Sequence, residues 1–389
     1  MNRIIKIIGV VGMGLLLTTG CSFTKSNNSA TKSNSSVSEV STDDMFTDRD
    51  LVQTVDTSDA TMYNLKDDED ITITKEGIYL IKGSASNSSI VVEADDSAKV
   101  QIVLDGVSIT NSSLPCIYVK SADKVFVTTV NDNKLVVNGI FSEDGDTNTD
   151  AVIYSKDDLV VNGTGTLTIS STDNGITSKD KLKVTGGTIT IKCSADGLEA
   201  NDGVAITNAS ITINSDKDGI HAEYDEDDTV GFVYIKDGTV TINAGDDAIH
   251  ATTYITIDGG TVTLNAKECL EATVITINDG TVTINASDDG INGSQKSKNL
   301  TASVNINGGN ITINMGQGDT DGIDSNGNLY INGGTLNITA QSPFDYDGEA
   351  KYSGGTMIIN GEETTTITNQ MMGGHGGGQP GGDQGGRRR

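Results

Sequence analysis

One hexapeptide pattern constrains this chain more than any other feature. GTLTIS (165–170), GTITIK (187–192), ASITIN (209–214), GTVTIN (238–243), GTVTLN (260–265), GTVTIN (280–285), GNITIN (309–314), GTLNIT (334–339) and GTMIIN (355–360) are one segment repeated. Their first residues are 22, 22, 29, 22, 20, 29, 25 and 21 positions apart. Within each copy apolar residues alternate with Thr or Asn, the period-two signature of a strand with one buried face. A second strand precedes each copy (LVVNG, LKVTG, VAITN, VYIKDG, ITIDGG, ITINDG, VNINGG, LYINGG), and a short turn of the type DGI follows. Three short strands per roughly 22 residues, Gly, Asn or Asp at the bends and no amphipathic helical period describe a β-solenoid. The expected fold is all-β, a right-handed parallel β-helix, with handedness following from strand twist. Residues near 60–145 keep the alternation less regularly and read as the first coils and their cap.

The two ends are different in kind. Arg3 and Lys6 precede the short apolar run IIGVVGMGLLL, which ends at TTGC, so residues 1–21 read as a lipoprotein signal peptide with Cys21 as the lipidated residue. Thr18 departs from the usual aliphatic residue of such a lipobox. Residues 22–58 are Ser, Asn, Thr, Lys and Asp with few apolar positions, the composition of a disordered tether. Residues 59–368 form the β-helix, and 369–389 read as a disordered Gly-rich tail containing His375. Such a chain is expected outside the cell, held by its lipid to the outer face of the cytoplasmic membrane. With Cys21 lipidated, three cysteines remain, an odd number that reads as packed free thiols rather than a disulfide framework. The net charge of −28 argues against nucleic acid as a partner and suits a protein that collects cations. A monomer is expected.

Aligning the DGI turns exposes an acidic column. Its first position runs Asp150, Asn174, Asp196, Asp218, Asp247, Glu268, Asp289, Asp321 and, in a degenerate last copy, Asp345. The position three later runs Ile153, Thr177, Glu199, His221, His250, Glu271, Asn292 and Asp324. An outward Asp and an inward Ile two residues apart require a bend at the intervening Gly or Ala. Coils stack about 4.8 Å apart, so such carboxylates repel by about 1 kcal/mol per pair even in water. A cation between coils relieves this, and Asp196, Glu199, Asp218, Asp247, Glu268, Glu271, Asp289, Asn292, Asp321 and Asp324 are the expected ligands. Their hard oxygens suit Ca2+ better than zinc. His221 and His250, with Tyr224, Asp225 and Asp227 in the insertion EYDEDDTVG, are candidates for contact with a ligand. That insertion and GSQKSKNL after Asn292 account for the two longest intervals and should project from one corner. A second column (Asn214, Asn243, Asn265, Asn285, Asn314, Asn360) reads as a structural hydrogen-bond ladder.

The tether, the segment ITITKEGIYLIKG…VQIVLDGVSITN, the GTxTIN/DGI coils and the Gly-rich tail together resemble the carbohydrate-binding β-helix lipoproteins of Gram-positive bacteria. That family is similar to pectate-lyase-like β-helices, especially family-nine polysaccharide lyases. The resemblance covers about residues 60–389 and implies calcium held in the helix and binding of plant-type polysaccharides, including cellulose and acidic pectic sugars. It carries over no short catalytic motif. Three functions compete: a non-catalytic polysaccharide-binding protein, a calcium-dependent polyuronate lyase with Lys192 or Lys181 as base, and an adhesin or envelope scaffold with a protein partner. The absence of Trp argues against a flat stacking platform for crystalline glucan.

Overall fold

A computed structural model describes residues 42, 44–224, 227–317 and 320–370. Cys21, Asp225 and the Gly-rich tail after Gln370 lie outside the described residues. Strands run from Thr61 to Thr364, and among the described residues no helix is long and apolar enough to cross a membrane. Most coils contribute three strands, and the coils stack in parallel into a right-handed β-helix. One wall is built from strands such as Lys181–Val184, Gly203–Ile206, Phe232–Ile235 and Tyr254–Ile257. A second wall holds the hexapeptide copies, among them Thr188–Cys193, Ser210–Ser215 and Thr239–Asn243. These two walls form one 24-stranded sheet, because the long strands Gly77–Ser86 and Lys99–Asn111 run through both. The DGI turns make a separate 12-stranded corner sheet. Among the strand pairs of the described residues only the terminal one, Thr356–Ile359 with Glu362–Thr364, is antiparallel, a hairpin that turns the last edge back on itself.

The register reproduces the repeat. Leu167, Ile189, Ile211, Val240, Val262, Val282, Ile311, Leu336 and Met357 stack in one inward column. The 29-residue coils therefore keep the same pairing as the 22-residue ones, and their extra residues leave the walls entirely. The core is a continuous stack of Ile, Val and Leu from Leu65 to Met357. Cys116, Cys193 and Cys269 are free and buried in it, and burial pushes each thiol up to about 12.

Two glycine positions show how tightly the coils stack. Gly260 opens its hexapeptide with φ +86°, and a Cβ there would sit 2.6 Å from the Gly238 carbonyl oxygen of the coil below. At the corner, a Cβ on Gly219 would lie 2.3 Å from Ile242 Cγ2 and 2.6 Å from the Ala248 carbonyl oxygen. That carbonyl belongs to the ladder and cannot give way. Gly219→Ala should therefore cost about 1–3 kcal/mol; a thermal melt indistinguishable from wild type would show the corner to be looser than this.

The expected Asn ladder runs from Asn214 to Asn314, each side-chain amide donating to the neighbouring Oδ1 at 2.8–3.0 Å. Asn360 does not join it and instead brackets the Ala340 backbone. A second ladder, Asp258–Asn278–Asn307–Asn332, lines the turn at the far end of the first wall. Its signal lies in ITIDGG, ITINDG, VNINGG and LYINGG, whose Asp or Asn occupies one slot.

Candidate metal and glycan-binding site

The corner sheet places the acidic column. Ile176, Leu198, Ile220, Ile249, Leu270, Ile291, Ile323 and Phe344 stack inward. Beside them Thr177, Glu199, His221, His250, Glu271, Asn292, Asp324 and Asp345 stand in one register column. Asp345 thus continues the later position, and Ser342 takes the earlier slot opposite Asp321, contrary to the sequence alignment. The first copy is also displaced: Ala151 pairs with Asn174 and Tyr154 with Thr177, one residue beyond Asp150 and Ile153. The repeat decays at both ends, and there the turns meet the column out of step with the alignment.

The earlier position has a structural duty that the sequence did not disclose. Asn174 Oδ1 accepts from the backbone N–H of Asp196, Asp196 Oδ1 from Asp218, and Asp218 Oδ1 from Asp247, at 2.9–3.0 Å. Asp289 Oδ1 likewise accepts from the Asp321 amide at 3.1 Å. One oxygen of each side chain satisfies a backbone donor on the next coil. In the aspartates the other carboxylate oxygen remains for a proton, an imidazole or a cation.

Electrostatically the column falls into two parts. In the N-terminal part Lys179, His221 and Lys296 offset much of the charge, although burial and the charges of Asp196 and Asp247 still push Asp218 up to about 6. Glu199 accepts from Asn174, Thr177 and, at 3.2 Å, Lys179. His221 Nδ1 lies 3.0 Å from Asp196 and 3.6 Å from Asp218. Burial alone would lower the His221 pKa, but the bond to Asp196 and the surrounding charges of Asp196, Asp218 and Glu223 raise it to about 9. Burial pushes Asp196 up, but the bond and charge of His221, the Asp218 amide and Lys217 together hold it below the usual carboxylate range. His250 Nδ1 lies 3.0 Å from Asp247 and 3.3 Å from Glu271. Lys296, from the second insertion, reaches Glu271 at 2.8 Å. The two rings are neighbours, with centroids 4.9 Å apart.

The C-terminal part is uncompensated. Glu268 accepts from Asn292 Nδ2 at 2.9 Å, yet burial and the charges of Glu271 and Asp247 push it up to about 7. Asp289 also rises to about 7, from burial and from Asp324, Glu268 and Asp321. Asp324 rises to about 6, from burial and then Asp345, Asp321 and Asp347. Asn292 Oδ1 is buried without a hydrogen-bond partner. An oxygen-only donor set that repels itself, with an orphaned carbonyl oxygen beside it, fits a hard cation.

Among the described residues two groups have ligand atoms within 4.8 Å of one another: Asp218, His221 and His250, and Asp247, His250 and Glu271. Either could hold a metal ion. Proximity thus points to the histidine steps, and charge imbalance to the Glu268–Asp324 steps. The latter is the stronger argument for a hard cation, because the imidazolium of His221 already acts as a cation at its step.

The remaining candidates lie around the first insertion. Tyr224 is half-buried, its amide donating to Thr252 Oγ1 at 3.1 Å. Asp227 is exposed, its carboxylate held in a local turn by the N–H and hydroxyl of Thr229. The two insertions do rise from one corner and touch: Ser297 and Asn299 both donate to the Asp228 carboxylate. Lys181 stands on the first wall, and Lys192 is exposed on the second, paired between Ser170 and Asn214.

A right-handed parallel β-helix with an acidic corner column defines the class, an all-β solenoid. The chain belongs to the family of carbohydrate-binding domain-containing proteins, whose profile matches residues 67–274 and 270–373. A carbohydrate-binding domain-containing protein of Acetivibrio thermocellus is 35% identical over 125 residues, 31% of this chain and 44% of that protein. The match therefore spans less than half of the relative's length. A solved structure of a polysaccharide lyase-like protein from C. thermocellum, a gadolinium derivative, is 31% identical, with a TM-score of 0.50. It covers 64% of this chain and 96% of that one.

Proposed function

We propose that the protein is a non-catalytic, surface-tethered polysaccharide-binding protein that holds calcium between coils of its β-helix and takes cellulose or acidic pectic sugars as ligands. The observation that carries the calcium is the set Glu268, Asp289 and Asp324, pushed up by burial among like charges, with Asp321 and the orphaned Asn292 Oδ1 on the same run of coils. Asp196, Glu199, Asp218, Asp247 and Glu271 extend the column on the N-terminal side, where Lys179, His221 and Lys296 share the neutralisation. The solved relative is a gadolinium derivative, and a lanthanide ion shares calcium's preference for oxygen donors, which is in keeping with an oxygen-ligated ion in this fold. Calcium also resolves how a chain of net charge −28 meets an acidic sugar: a partly hydrated ion bridges carboxylate to carboxylate. His221, His250, Tyr224, Asp225 and Asp227 border the column and would contact the bound chain. Lipidation at Cys21 would place it at the cell surface, as a monomer with no nucleic-acid role.

Calorimetric titration should give a calcium Kd on the order of 10⁻⁴–10⁻³ M, the range of extracellular modules. Retention on immobilised polygalacturonate should require that calcium. Retention that persists after chelation of a still-folded protein would remove the bridging role. The lyase-like character of the solved relative makes one control necessary. Unsaturated uronide released from polygalacturonate, and lost on Lys181→Ala or Lys192→Ala, would replace this reading with the lyase.

A further inference from the structure

Residues 44–53 fall inside the stretch that composition assigns to a disordered tether, yet they pack against the first wall. Met45 is buried against Ala205, Phe232, Tyr234, Tyr254 and Leu300, the last from the second insertion. At the centre lies Lys183, on a strand between Val160 and Ala205 of the adjoining coils. Both hydrogen bonds of its ammonium go to this strap, to Met45 O at 2.6 Å and Asp50 Oδ2 at 2.8 Å. The Asp50 side chain is fully buried, and Lys124 Nζ approaches its other oxygen at 3.7 Å. Asn162 and Thr185 donate to the Asp50 carbonyl, and Gln53 exchanges hydrogen bonds with Gly163 N and Thr185 O. Phe46 stacks on Tyr234 with centroids 6.1 Å apart, and the Arg49 guanidinium lies over the Phe126 ring at 4.4 Å.

Two features make this more than a cover for apolar surface. A cover would use apolar side chains, because a buried ion pair recovers its desolvation cost poorly. Here the wall instead presents a lysine between two aromatic rims, with hydrogen-bonding Thr128, Asn162 and Thr185 beside it. The fit is also incomplete, since Asp50 Oδ1 is buried with no hydrogen-bond partner. A uronate residue offers the same pair of features in one ring, a carboxylate for Lys183 and an apolar face for Tyr234 or Phe126.

We propose that residues 44–53 occupy a binding furrow for an extended acidic polysaccharide, standing in for it through Asp50 and Phe46, and that the polysaccharide displaces them. This rests on the polysaccharide-binding reading above but uses a different face from the acidic corner. It makes the strap a competitor: occupancy of the furrow and docking of residues 44–53 exclude each other.

The test uses the full chain as wild type, Asp50→Ala and Asp50→Ala/Lys183→Met, with calcium present throughout. Polygalacturonate, soluble cello-oligosaccharide and polyglutamate are titrated while amide exchange is followed across residues 44–53. Polygalacturonate should speed that exchange in wild type by about ten-fold or more, and bind Asp50→Ala about ten-fold more tightly. Lys183→Met should abolish the gain. Should Asp50→Ala fail to fold, the exchange measurement on wild type decides alone. Polygalacturonate binding with the strap still protected and affinity unchanged overturns the furrow and leaves the proposed function standing. Binding of cello-oligosaccharide alone does the same. Displacement by polyglutamate and not by polygalacturonate makes the furrow a peptide site and overturns the proposal. If no polysaccharide binds any variant, both readings fall.

Discussion

In calcium-free buffer the melting temperature should fall as the pH is raised from about 5 to about 9, and added calcium should restore most of the loss. Glu268 and Asp289 titrate near 7 in the folded chain, and Asp324 near 6, because they are buried among like charges. In the unfolded chain the same groups titrate near 4. Between these values the folded state holds more protons, so stability is fully present below about pH 4 and lost as pH rises through 6 and 7. His221 works in the same direction over a higher range, since its folded value of about 9 exceeds the ordinary imidazole value. A tenfold difference in proton affinity between the folded and unfolded chain is worth about 1.4 kcal/mol per group. Discounted for partial exposure and relaxation, the total should be roughly 1–3 kcal/mol, a drop of several degrees. Calcium replaces the lost protons, so its stabilising effect should be largest near pH 8 and small near pH 5. A chelated protein whose melting temperature is flat or rising between pH 5 and 8 would show that the column is not self-repulsive.

Neutralising the two most perturbed carboxylates should separate folding from ion binding. Glu268→Gln/Asp289→Asn keeps the side-chain oxygens that accept from Asn292 Nδ2 and the Asp321 amide. The corner caps therefore survive while two negative charges leave. In chelator at pH 8 the double variant should be more stable than wild type by roughly 1–2 kcal/mol, with a flatter pH profile. Calcium should stabilise it little, and calcium-dependent retention on polygalacturonate should weaken by about ten-fold or more. At pH 5, where wild type carries protons at these sites, the two proteins should melt alike. A variant less stable than wild type at pH 8 in chelator would mean that these carboxylates make favourable contacts the charge argument omits.

The walls were legible because their physics is local. The alternation in GTVTIN says which side of Thr239–Asn243 is buried, and the spacing of the copies states the register directly. The Asn ladder followed from identical residues at identical slots, each 2.8–3.0 Å from the next. The ends of the column were misread, at Asp150 and Asp345, because the repeat decays there and one residue of slip moves a side chain to another slot. Docking of residues 44–53 could not be read either. Three residues of that segment, Met45, Phe46 and Asp50, matter through partners 74 to 255 positions away, such as Lys124, Lys183, Tyr234 and Leu300.

By itself, then, the sequence determined the solenoid, its strand register and the existence of an acidic corner, since each follows from periodicity and nearest-neighbour stacking. Only the tertiary structure decided how charge is shared along that corner. Whether a carboxylate is neutralised depends on which cation reaches it: Lys179 for Glu199, His221 for Asp196 and Lys296 for Glu271. Those partners come from other coils or from an insertion, at distances that no single repeat encodes. Glu268, Asp289 and Asp324 carry the case for an ion because, among the described residues, none of them is in an ion pair and burial among like charges pushes them up to about 7, 7 and 6.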